Sequence, residues 1–329
     1  MNNVLVTGGA GYIGSHAVLA LIEEGYNPIV LDNLVNGHED LVKALGAEVI
    51  VGDVGDVALV SNVFKKRNIA SVMHFAAYAY VGESVTSPAK YYLNNVAVTA
   101  SLLDSMVKAG VNKFVFSSSC ATYGLPASLP LYESAEQRPI SPYGHSKLMV
   151  EQMLKDFEFA YGLQSVTFRY FNAAGADPGG RIGERHVPET HLIPLVLQAA
   201  IGLRNDIMVF GSDYPTPDGT CIRDYVHVND LVSAHIHGLH HLEKGGTSDA
   251  FNLGIGRGYS VLEIIDAAKI ATGCDIKLNF GSRRTGDPPV LYAESTKAQQ
   301  VLGWEPKCKD ITTMINDAWN WQKKESSRC

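Results

Sequence analysis

The sequence predicts an α/β fold in which helices cover both faces of a doubly wound parallel sheet. In its first half, short apolar runs rich in Val, Ile and Phe alternate with longer stretches of helical period. A glycine-rich turn directly follows the first of these runs. Strands that alternate with helices pair in parallel through right-handed crossovers, and these crossovers place helices on both faces of the sheet.

Six strands and four long helices follow from this alternation. The apolar runs are too short to be helices, and their composition is typical of buried strands. Strands are predicted at 4–6, 28–31, 48–51, 71–75, 113–116 and 165–169. Helices are predicted at 11–24, 57–66, 88–109 and 142–161.

The pattern loosens after about residue 172. The stretch "NAAGADPGGRIGERHVPE" is rich in glycine, proline and charge, and long loops of this kind are usually functional or disordered. We predict a first domain over 1–172, to which segments at about 222–255 return. A smaller, interleaved domain is predicted mainly over 173–329.

Composition narrows the possible partners. The chain has 329 residues, 46% of them hydrophobic, with a net charge of −7. Its basic residues are scattered, which argues against nucleic acid or an anionic membrane as a partner. Neither a signal peptide nor a membrane-spanning run is apparent, so a cytoplasmic location is expected. The five widely spaced cysteines are expected to be reduced thiols: Cys120, Cys221, Cys274, Cys308 and Cys329.

The first predicted strand leads into glycines spaced for binding a dinucleotide. Gly8 permits the tight turn, Gly11 lets the backbone approach a pyrophosphate, and Gly14 allows close packing of strand and helix. A glycine triplet alone is weak evidence, but here it follows a strand and opens a helix. The arrangement is Rossmann-like, and the adjoining Tyr12 and Ile13 are expected to contact the cofactor.

The residue at the end of the second strand selects the cofactor. Asp32 lies 18 residues after Gly14, where a carboxylate can accept hydrogen bonds from the adenosine ribose. It would repel a 2′-phosphate, and "NLVNGHED" offers no Lys or Arg to hold one, so NAD is favoured over NADP. Asp53, followed by Val54, could bond the adenine amino group. As a lone aspartate in a loop, it is the weaker candidate.

The segment "SPYGHSK" places a tyrosine and a lysine on one helix face. Pro142 suits the first position of a helix, and Tyr143 and Lys147 are four residues apart. A tyrosine of ordinary pKa, about 10, is a poor base at neutral pH. A nearby ammonium group and a cationic nicotinamide ring both favour the phenolate. Tyr143 is therefore the predicted general base for an alcohol, beside NAD as hydride acceptor, although this spacing alone is common by chance.

Seven motifs together carry a resemblance to a known family. They are "TGGAGYIGSH", "HFAA", "YYLNN", "FSSS", "SPYGHSKLMVEQ", "RYFNAAGADP" and "DGTCIRDYVHV". In this order, and over essentially the whole chain, they resemble the extended short-chain dehydrogenase/reductase superfamily. Within it they are similar to the UDP-glucose (UDP-galactose) 4-epimerases.

The resemblance implies roles for individual residues near the cofactor. Tyr143 is the base, Lys147 contacts the nicotinamide ribose, and Ser119 bonds the reacting 4-hydroxyl group. Further expected contacts of NAD are Asn33, Asn36, Phe75, Ala76, Asn94, Ser117 and Tyr170.

The resemblance also implies how a UDP-sugar is held. Arg223 and Arg284 would bind the diphosphate, because arginine forms bidentate bonds to phosphate. Asn172 would donate to the diphosphate, Asp287 would accept from the uridine ribose, and Phe210 would lie by the uracil. Without the resemblance, arginines in such loops would more often be solvated.

Three departures from the family pattern leave the sugar open. His191, followed by Leu192, stands where many hexose epimerases have a sugar-contacting Asn. Leu291 replaces a Tyr that closes the pocket of hexose-only enzymes, and Ala79 replaces a lysine near the cofactor. UDP-xylose/UDP-arabinose or UDP-N-acetylglucosamine thus remain alternatives to UDP-glucose/UDP-galactose.

Two other functions are weighed against 4-epimerisation. The related dehydratases carry a Thr-Asp-Glu run where this chain has Ser119, Cys120 and Ala121, so neither carboxylate for elimination is present. A non-catalytic NAD-binding regulator is disfavoured by the intact Ser119, Tyr143 and Lys147. The resemblance further implies a homodimer formed through the helices predicted at 88–109 and 142–161.

Overall fold

The computed structural model describes residues 2–284 and 287–327. Its strands are β1 Asn3–Thr7, β2 Asn27–Asp32, β3 Glu48–Val51, β4 Ile69–His74, β5 Lys113–Ser117, β6 Gln164–Tyr170, β7 Asn172–Ala174, β8 Ile207–Phe210, β9 Ile222–His227, β10 Asp249–Leu253, β11 Gly258–Ser260, β12 Leu278–Gly281 and β13 Val290–Leu291. Its α-helices are α1 Tyr12–Glu23, α2 Glu39–Ala44, α3 Val57–Arg67, α4 Val81–Thr86, α5 Pro88–Tyr91, α6 Val98–Ala109, α7 Pro142–Tyr161, α8 Leu192–Ala200, α9 Val228–Glu243, α10 Val261–Thr272, α11 Thr296–Leu302 and α12 Ile311–Ser326.

The main sheet has seven strands in the order β10-β6-β5-β4-β1-β2-β3. Every neighbouring pair in it is parallel, as the alternation of strands and helices predicts. The strand order reverses between β1 and β4. In open α/β sheets, ligands bind outside the carboxyl ends of the strands at such a switch point.

Alternate residues of β1 enter two different cores. Val4 and Val6 pack with α1 and α9 on one face of the sheet. Leu5 packs with α3, α6 and α7 on the other face. This alternation follows from the two-residue period of a strand, and it explains why the run is apolar throughout. The doubly wound fold is confirmed.

A smaller unit lies beyond β6. In a four-stranded sheet β9 pairs with β7, β11 and β13, and a separate pair joins β8 to β12. Helices α8, α10 and α12 pack together over a third core. Within the segment 222–255, α9 and β10 pack with the main sheet, whereas β9 lies in the smaller one. The chain therefore crosses between the units more than once.

The predicted helix at 88–109 consists of three parts. A π-helical stretch, Tyr92–Ala97, separates α5 from α6. In the described part of the chain, no helix is long and apolar enough to cross a membrane. Cys120, Cys221, Cys274 and Cys308 are free thiols, and Cys329 lies outside the described residues.

Candidate active site

The turn between β1 and α1 forms a cradle that glycine alone permits. Gly8 has φ +70°, and a Cβ there would lie 2.5 Å from the backbone nitrogen of Ala76. A Cβ on Gly14 would lie 2.1 Å from the carbonyl oxygen of Gly8. At Gly11 a Cβ would meet only the Gly8 carbonyl, at 3.4 Å, so that side of the turn is open. Helix α1 starts at Tyr12 without a side-chain cap, which suits close approach of a pyrophosphate to its backbone N–H groups.

Asp32 ties this cradle to the loop after β2. Its carboxylate accepts hydrogen bonds from the backbone N–H of Ala10 at 2.9 Å and of Leu34 at 2.8 Å. Burial raises the pKa of Asp32, and these two bonds counteract the effect. Each carboxylate oxygen keeps a further lone pair, so the group can also accept from a ribose hydroxyl.

Other predicted NAD contacts lie in the loops after β2 and β3. The amide of Asn33 donates to Asp53 at 2.9 Å, and Asp53 also accepts from the backbone N–H of Gly55 at 2.7 Å. Val54 is buried in the core of the sheet, and Asn36 is half-buried in the loop after β2.

The end of β4 closes the cradle from the other side. The backbone N–H groups of Phe75 and Ala76 both donate to the carbonyl of Thr7, at 2.9 and 3.1 Å. This places the predicted contacts Phe75 and Ala76 at the switch point. The half-buried Ile13 packs in the core beneath α1.

Helix α7 presents the predicted catalytic pair. Its start is fixed by Ser141, whose hydroxyl accepts from the backbone N–H of Gly144 at 3.2 Å. The Lys147 Nζ atom donates to the carbonyl of Ser117 at 2.8 Å and lies 5.9 Å from the centre of the Tyr143 ring. The Ser119 hydroxyl lies near the Tyr143 phenol and lowers its pKa. The predicted trio is therefore brought together.

Burial shifts the pKa values of both Tyr143 and Lys147. It raises the pKa of Tyr143, an effect that Tyr170 increases and the Ser119 hydroxyl partly offsets. Burial also lowers the pKa of Lys147 to about 7, although the charge of Glu151 opposes this. Without a bound cofactor, the surrounding side chains therefore keep the Tyr143 phenol neutral at pH 7. The sequence predicts an ammonium group here, and burial brings its pKa close to neutral pH.

Two predicted cofactor contacts bond to each other at the ends of neighbouring strands. The hydroxyl groups of Ser117 and Tyr170 share a hydrogen bond. Burial raises the pKa of Tyr170 to about 12, while this bond lowers it. Both groups are therefore neutral polar partners beside Lys147.

The π-helical stretch carries a polar residue that sequence reasoning missed. The predicted contact Asn94 donates to the side chain of Asn95 at 2.9 Å. Asn95 is buried, and it bonds the backbone N–H and carbonyl of Tyr78 and, at 3.1 Å, the Ser146 hydroxyl on α7. The double asparagine of "YYLNN" was visible, but which of the two is buried depends on the π-helical winding.

A buried ion pair behind Lys147 was also missed. Arg169 on β6 binds the Glu151 carboxylate through Nε and a terminal nitrogen, the latter at 2.7 Å. Glu151 also accepts from the Ser118 hydroxyl at 2.6 Å and from Gln137 at 2.9 Å. Arg169 donates further to the Tyr123 hydroxyl at 2.9 Å. Glu151 follows Lys147 by one helical turn, so this network holds α7 against the sheet.

The residues predicted to hold UDP form two pairs in the smaller unit. Arg223 on β9 makes an ion pair with Asp287. The guanidinium of Arg284 lies 4.3 Å from the centre of the Phe210 ring, which is 39% exposed. Asn172 lies beside β9 and donates to the backbone carbonyl of Asp224 at 3.3 Å. Guanidinium groups and an open aromatic face suit a nucleoside diphosphate.

Two residues that bear on the sugar have different surroundings. Leu291 pairs in register with Arg223 and is buried against Tyr123 and Phe171. His191 is half-exposed and contacts the Glu184 carboxylate, which raises the histidine pKa although burial lowers it. Leu192 begins α8 beside it.

Such a fold, with a phenol and an amine held beside a dinucleotide cradle, defines a class of enzymes that move a hydride at an alcohol carbon. The comparison with family models narrows this class. Residues 4–254 match the model of the NAD dependent epimerase/dehydratase family, and the chain belongs to that family.

Individual relatives resemble nearly the whole chain. A UDP-glucose 4-epimerase of Halalkalibacterium halodurans is 52% identical, over 98% of this chain and 96% of the relative. The structure of a Brucella ovis UDP-glucose 4-epimerase in complex with NAD has a TM-score of 0.94 and 49% identity, over 97% of this chain and 98% of that one. A Stenotrophomonas maltophila UDP-glucose-4-epimerase with bound NAD and formylated UDP-arabinopyranose has a TM-score of 0.96 and 40% identity, over all of both chains.

Proposed function

We propose that this protein is a NAD-dependent 4-epimerase of UDP-sugars that interconverts UDP-glucose and UDP-galactose. The observation that carries the proposal is the Tyr143 phenol, with Ser119 near it and Lys147 one turn later, beside the glycine cradle. The relatives named above support the same reaction and the same cofactor.

The chain's own groups handle the proton of the sugar 4-hydroxyl. When bound, NAD supplies a hydride acceptor and donor for C4 and a positively charged ring that favours the phenolate. Tyr143 then takes the hydroxyl proton, and it returns the proton once the 4-keto sugar presents its other face. Ser119 holds the reacting oxygen. Lys147, fixed by the Ser117 carbonyl, adds positive charge when protonated.

The UDP moiety is held while the sugar turns over. Arg223 and Arg284 bind the diphosphate, Asp287 accepts from the uridine ribose, and the Phe210 face lies by the uracil. The ion pair between Arg223 and Asp287 holds both groups in place before the nucleotide binds. A firm UDP site with a looser sugar site lets both faces of C4 reach the same base.

Elimination of water is disfavoured by the residues around Tyr143. Cys120 and Ala121 occupy the two positions where the related dehydratases carry carboxylates. Burial raises the pKa of the Cys120 thiol to about 12, so it offers no acid suited to neutral pH. The side chains at these two positions therefore favour proton transfer at the 4-hydroxyl over elimination.

A UDP-pentose is the second candidate for the substrate. His191 in place of an asparagine, and Ala79 near the cofactor, favour a pentose such as UDP-xylose or UDP-arabinose. The ligand of the Stenotrophomonas maltophila relative is of that kind. Leu291 is 8% exposed, so it leaves less free space for an N-acetyl group than its size alone suggests.

We further propose a cytoplasmic homodimer. Apolar side chains on α7 are exposed, among them Met149 at 44% and Phe159 at 95%. A second copy that packs on this helix would cover them. Light scattering coupled to size exclusion measures the mass, and a monomer at micromolar concentration would remove this part of the proposal.

The reaction is tested with protein purified without added cofactor. UDP-galactose, UDP-xylose and UDP-N-acetylgalactosamine are offered separately, and their C4 epimers are followed by NMR. We expect UDP-galactose to be converted fastest, with neither external NAD nor net reduction. Faster conversion of UDP-xylose would replace the hexose by the pentose, and a stoichiometric demand for NAD would instead indicate a dehydrogenase.

A further inference from the structure

The loop between β7 and α8 gathers four side chains that the proposed reaction does not need as a group. They are Glu184, His186, Glu189 and His191, here called the His/Glu cluster. One ligand-type atom from each lies within 4.8 Å of all the others. The set offers two imidazole nitrogens and two carboxylate oxygens.

The carboxylates of the cluster are largely removed from water. The side chain of Glu184 is 7% exposed and that of Glu189 is 5% exposed. Arg185 lies between them in sequence, but it pairs with Asp40 and Glu325. Among the ion pairs of the described residues, only histidines contact these two carboxylates. Despite burial, these carboxylates raise the pKa of both histidines, so a divalent cation that binds here displaces the imidazole protons and cancels the two negative charges.

The spacing of the donor atoms suits a small coordination sphere. The His186 Nδ1 atom lies 3.1 Å from the nearer Glu184 oxygen and 3.7 Å from a Glu189 oxygen. Around a tetrahedral zinc ion with bonds of about 2.0–2.2 Å, ligand atoms are about 3.3 Å apart. His186 Nδ1 is buried and makes no hydrogen bond of good geometry within the described residues, although it faces both carboxylates.

We propose that the His/Glu cluster binds one divalent transition-metal ion of the zinc class. Imidazole nitrogens select such ions over calcium and magnesium, which prefer oxygen ligands throughout. The segment that carries the cluster is held to the loop after β2, because the His38 imidazole bonds the backbone carbonyl of Arg185 at 2.9 Å. The site therefore lies beside the loop after β2, and an ion there would fix the segment before α8.

A consequence of the site rests on the proposed function. Since His191 is a predicted sugar contact, an ion that binds its imidazole withdraws it from the sugar. Zinc should then raise the KM for UDP-galactose, and His186→Gln should abolish this sensitivity while it leaves turnover without metal unchanged. The binding measurement described next needs no turnover, so failure of the proposed reaction does not affect it.

Cobalt and zinc binding to tag-free protein with its retained cofactor tests the proposal. After treatment with a chelator, the protein is dialysed against Co²⁺, and bound metal is counted by mass spectrometry and by visible absorption. We expect one Co²⁺ per chain, with the strong bands of a four-coordinate ion and without a thiolate band. Zinc should displace the cobalt and raise the Tm.

Separate His186→Gln and Glu189→Gln variants should each weaken binding at least tenfold, and His240→Gln, on α9 outside the cluster, should not. Circular dichroism identifies any variant that fails to fold. Co²⁺ binding by the other cluster variant then tests the proposal. No cobalt bound by the wild type, or equal binding by both folded cluster variants, would overturn the proposal. The cluster would then be an ion-pair cluster of imidazolium and carboxylate groups.

Discussion

The Nζ atom of Lys147 lies 2.8 Å from the carbonyl oxygen of Ser117 at the end of β5. This bond fixes the amine in a buried position near the Tyr143 phenol, with 4% of the residue exposed. Burial holds the lysine pKa near 7, well below its ordinary value of 10.5. Holding the Lys147 amine here therefore costs stability whenever it is protonated.

Lys147→Met should remove a pH dependence of stability in protein freed of NAD. Between pH 7 and 10.5 the unfolded chain binds the lysine proton and the folded chain does not, so wild-type stability rises with pH. From pH 7 to 9 this gain amounts to about 2–3 kcal/mol for one proton. Urea denaturation at the two pH values measures it, and Lys155→Met, at an exposed position of α7, is the control. If the stability of the wild type and of Lys147→Met rises equally between pH 7 and 9, the low pKa of Lys147 is contradicted.

Tyr143→Phe should remove the base and keep the site's shape. The ring remains and can keep its edge-to-face contact with Tyr91, whose centre lies 6.4 Å away. We expect kcat to fall by about 10²–10⁴-fold, the usual contribution of a general base, with little change in KM or in retained NAD. Steady-state kinetics with UDP-galactose measure both constants. Tyr161→Phe, at the exposed end of α7, should behave as the wild type, and a Tyr143→Phe variant with unchanged kcat would refute the assignment.

Gly11→Ala should separate folding from cofactor binding. The added Cβ would meet only the Gly8 carbonyl, at 3.4 Å, so the protein should fold with a Tm close to that of the wild type. If a pyrophosphate approaches this side of the turn, the methyl group blocks it, and retained NAD should fall at least tenfold. Absorbance of the denatured extract measures NAD per chain. Gly82→Ala, where a Cβ meets nothing within 4 Å, is the matched control. Full NAD retention by Gly11→Ala would place the pyrophosphate elsewhere.

The elements of the main sheet could be predicted because their signal is local. The first six strands and the helix at 142–161 lie within two residues of their predicted bounds, since hydrophobic period and flanking turns act over neighbouring residues. The glycine cradle and the Tyr143–Lys147 pair could be predicted for the same reason. Each is a short segment whose geometry follows from its own residues.

What the sequence did not reveal depends on contacts between distant segments. Arg169 on β6 forms an ion pair with Glu151 on α7. The sequence of neither segment indicates which residue is the partner. Asp32 was predicted as a ribose ligand, but its bonds to Ala10 and Leu34 also hold the cradle turn. His191 was interpreted as a sugar contact, and its proximity to Glu184 arises only when the loop before α8 folds back. Such pairings come from tertiary packing, which a local pattern does not encode.

Glu151→Ala should be strongly destabilising, because it leaves the Arg169 guanidinium buried and uncompensated. The two side chains are 5% and 6% exposed, and breaking a buried pair by removing one partner costs about 3–5 kcal/mol. Urea denaturation measures the loss. Asp104→Ala, which breaks an exposed pair with Lys108 on α6, should cost at most about 1 kcal/mol.

The double variant Glu151→Leu/Arg169→Met distinguishes the unpaired charge from lost packing. With no charge left behind, it should recover much of the stability that Glu151→Ala loses, since apolar replacement of a whole buried pair is often neutral. Its kcat should still fall, because the Glu151 charge that raises the Lys147 pKa is gone and less of the amine is protonated at pH 7. Restored stability together with wild-type kcat would mean that the pair stabilises the fold alone. The Lys147 pKa would then be set by burial, without a contribution from Glu151.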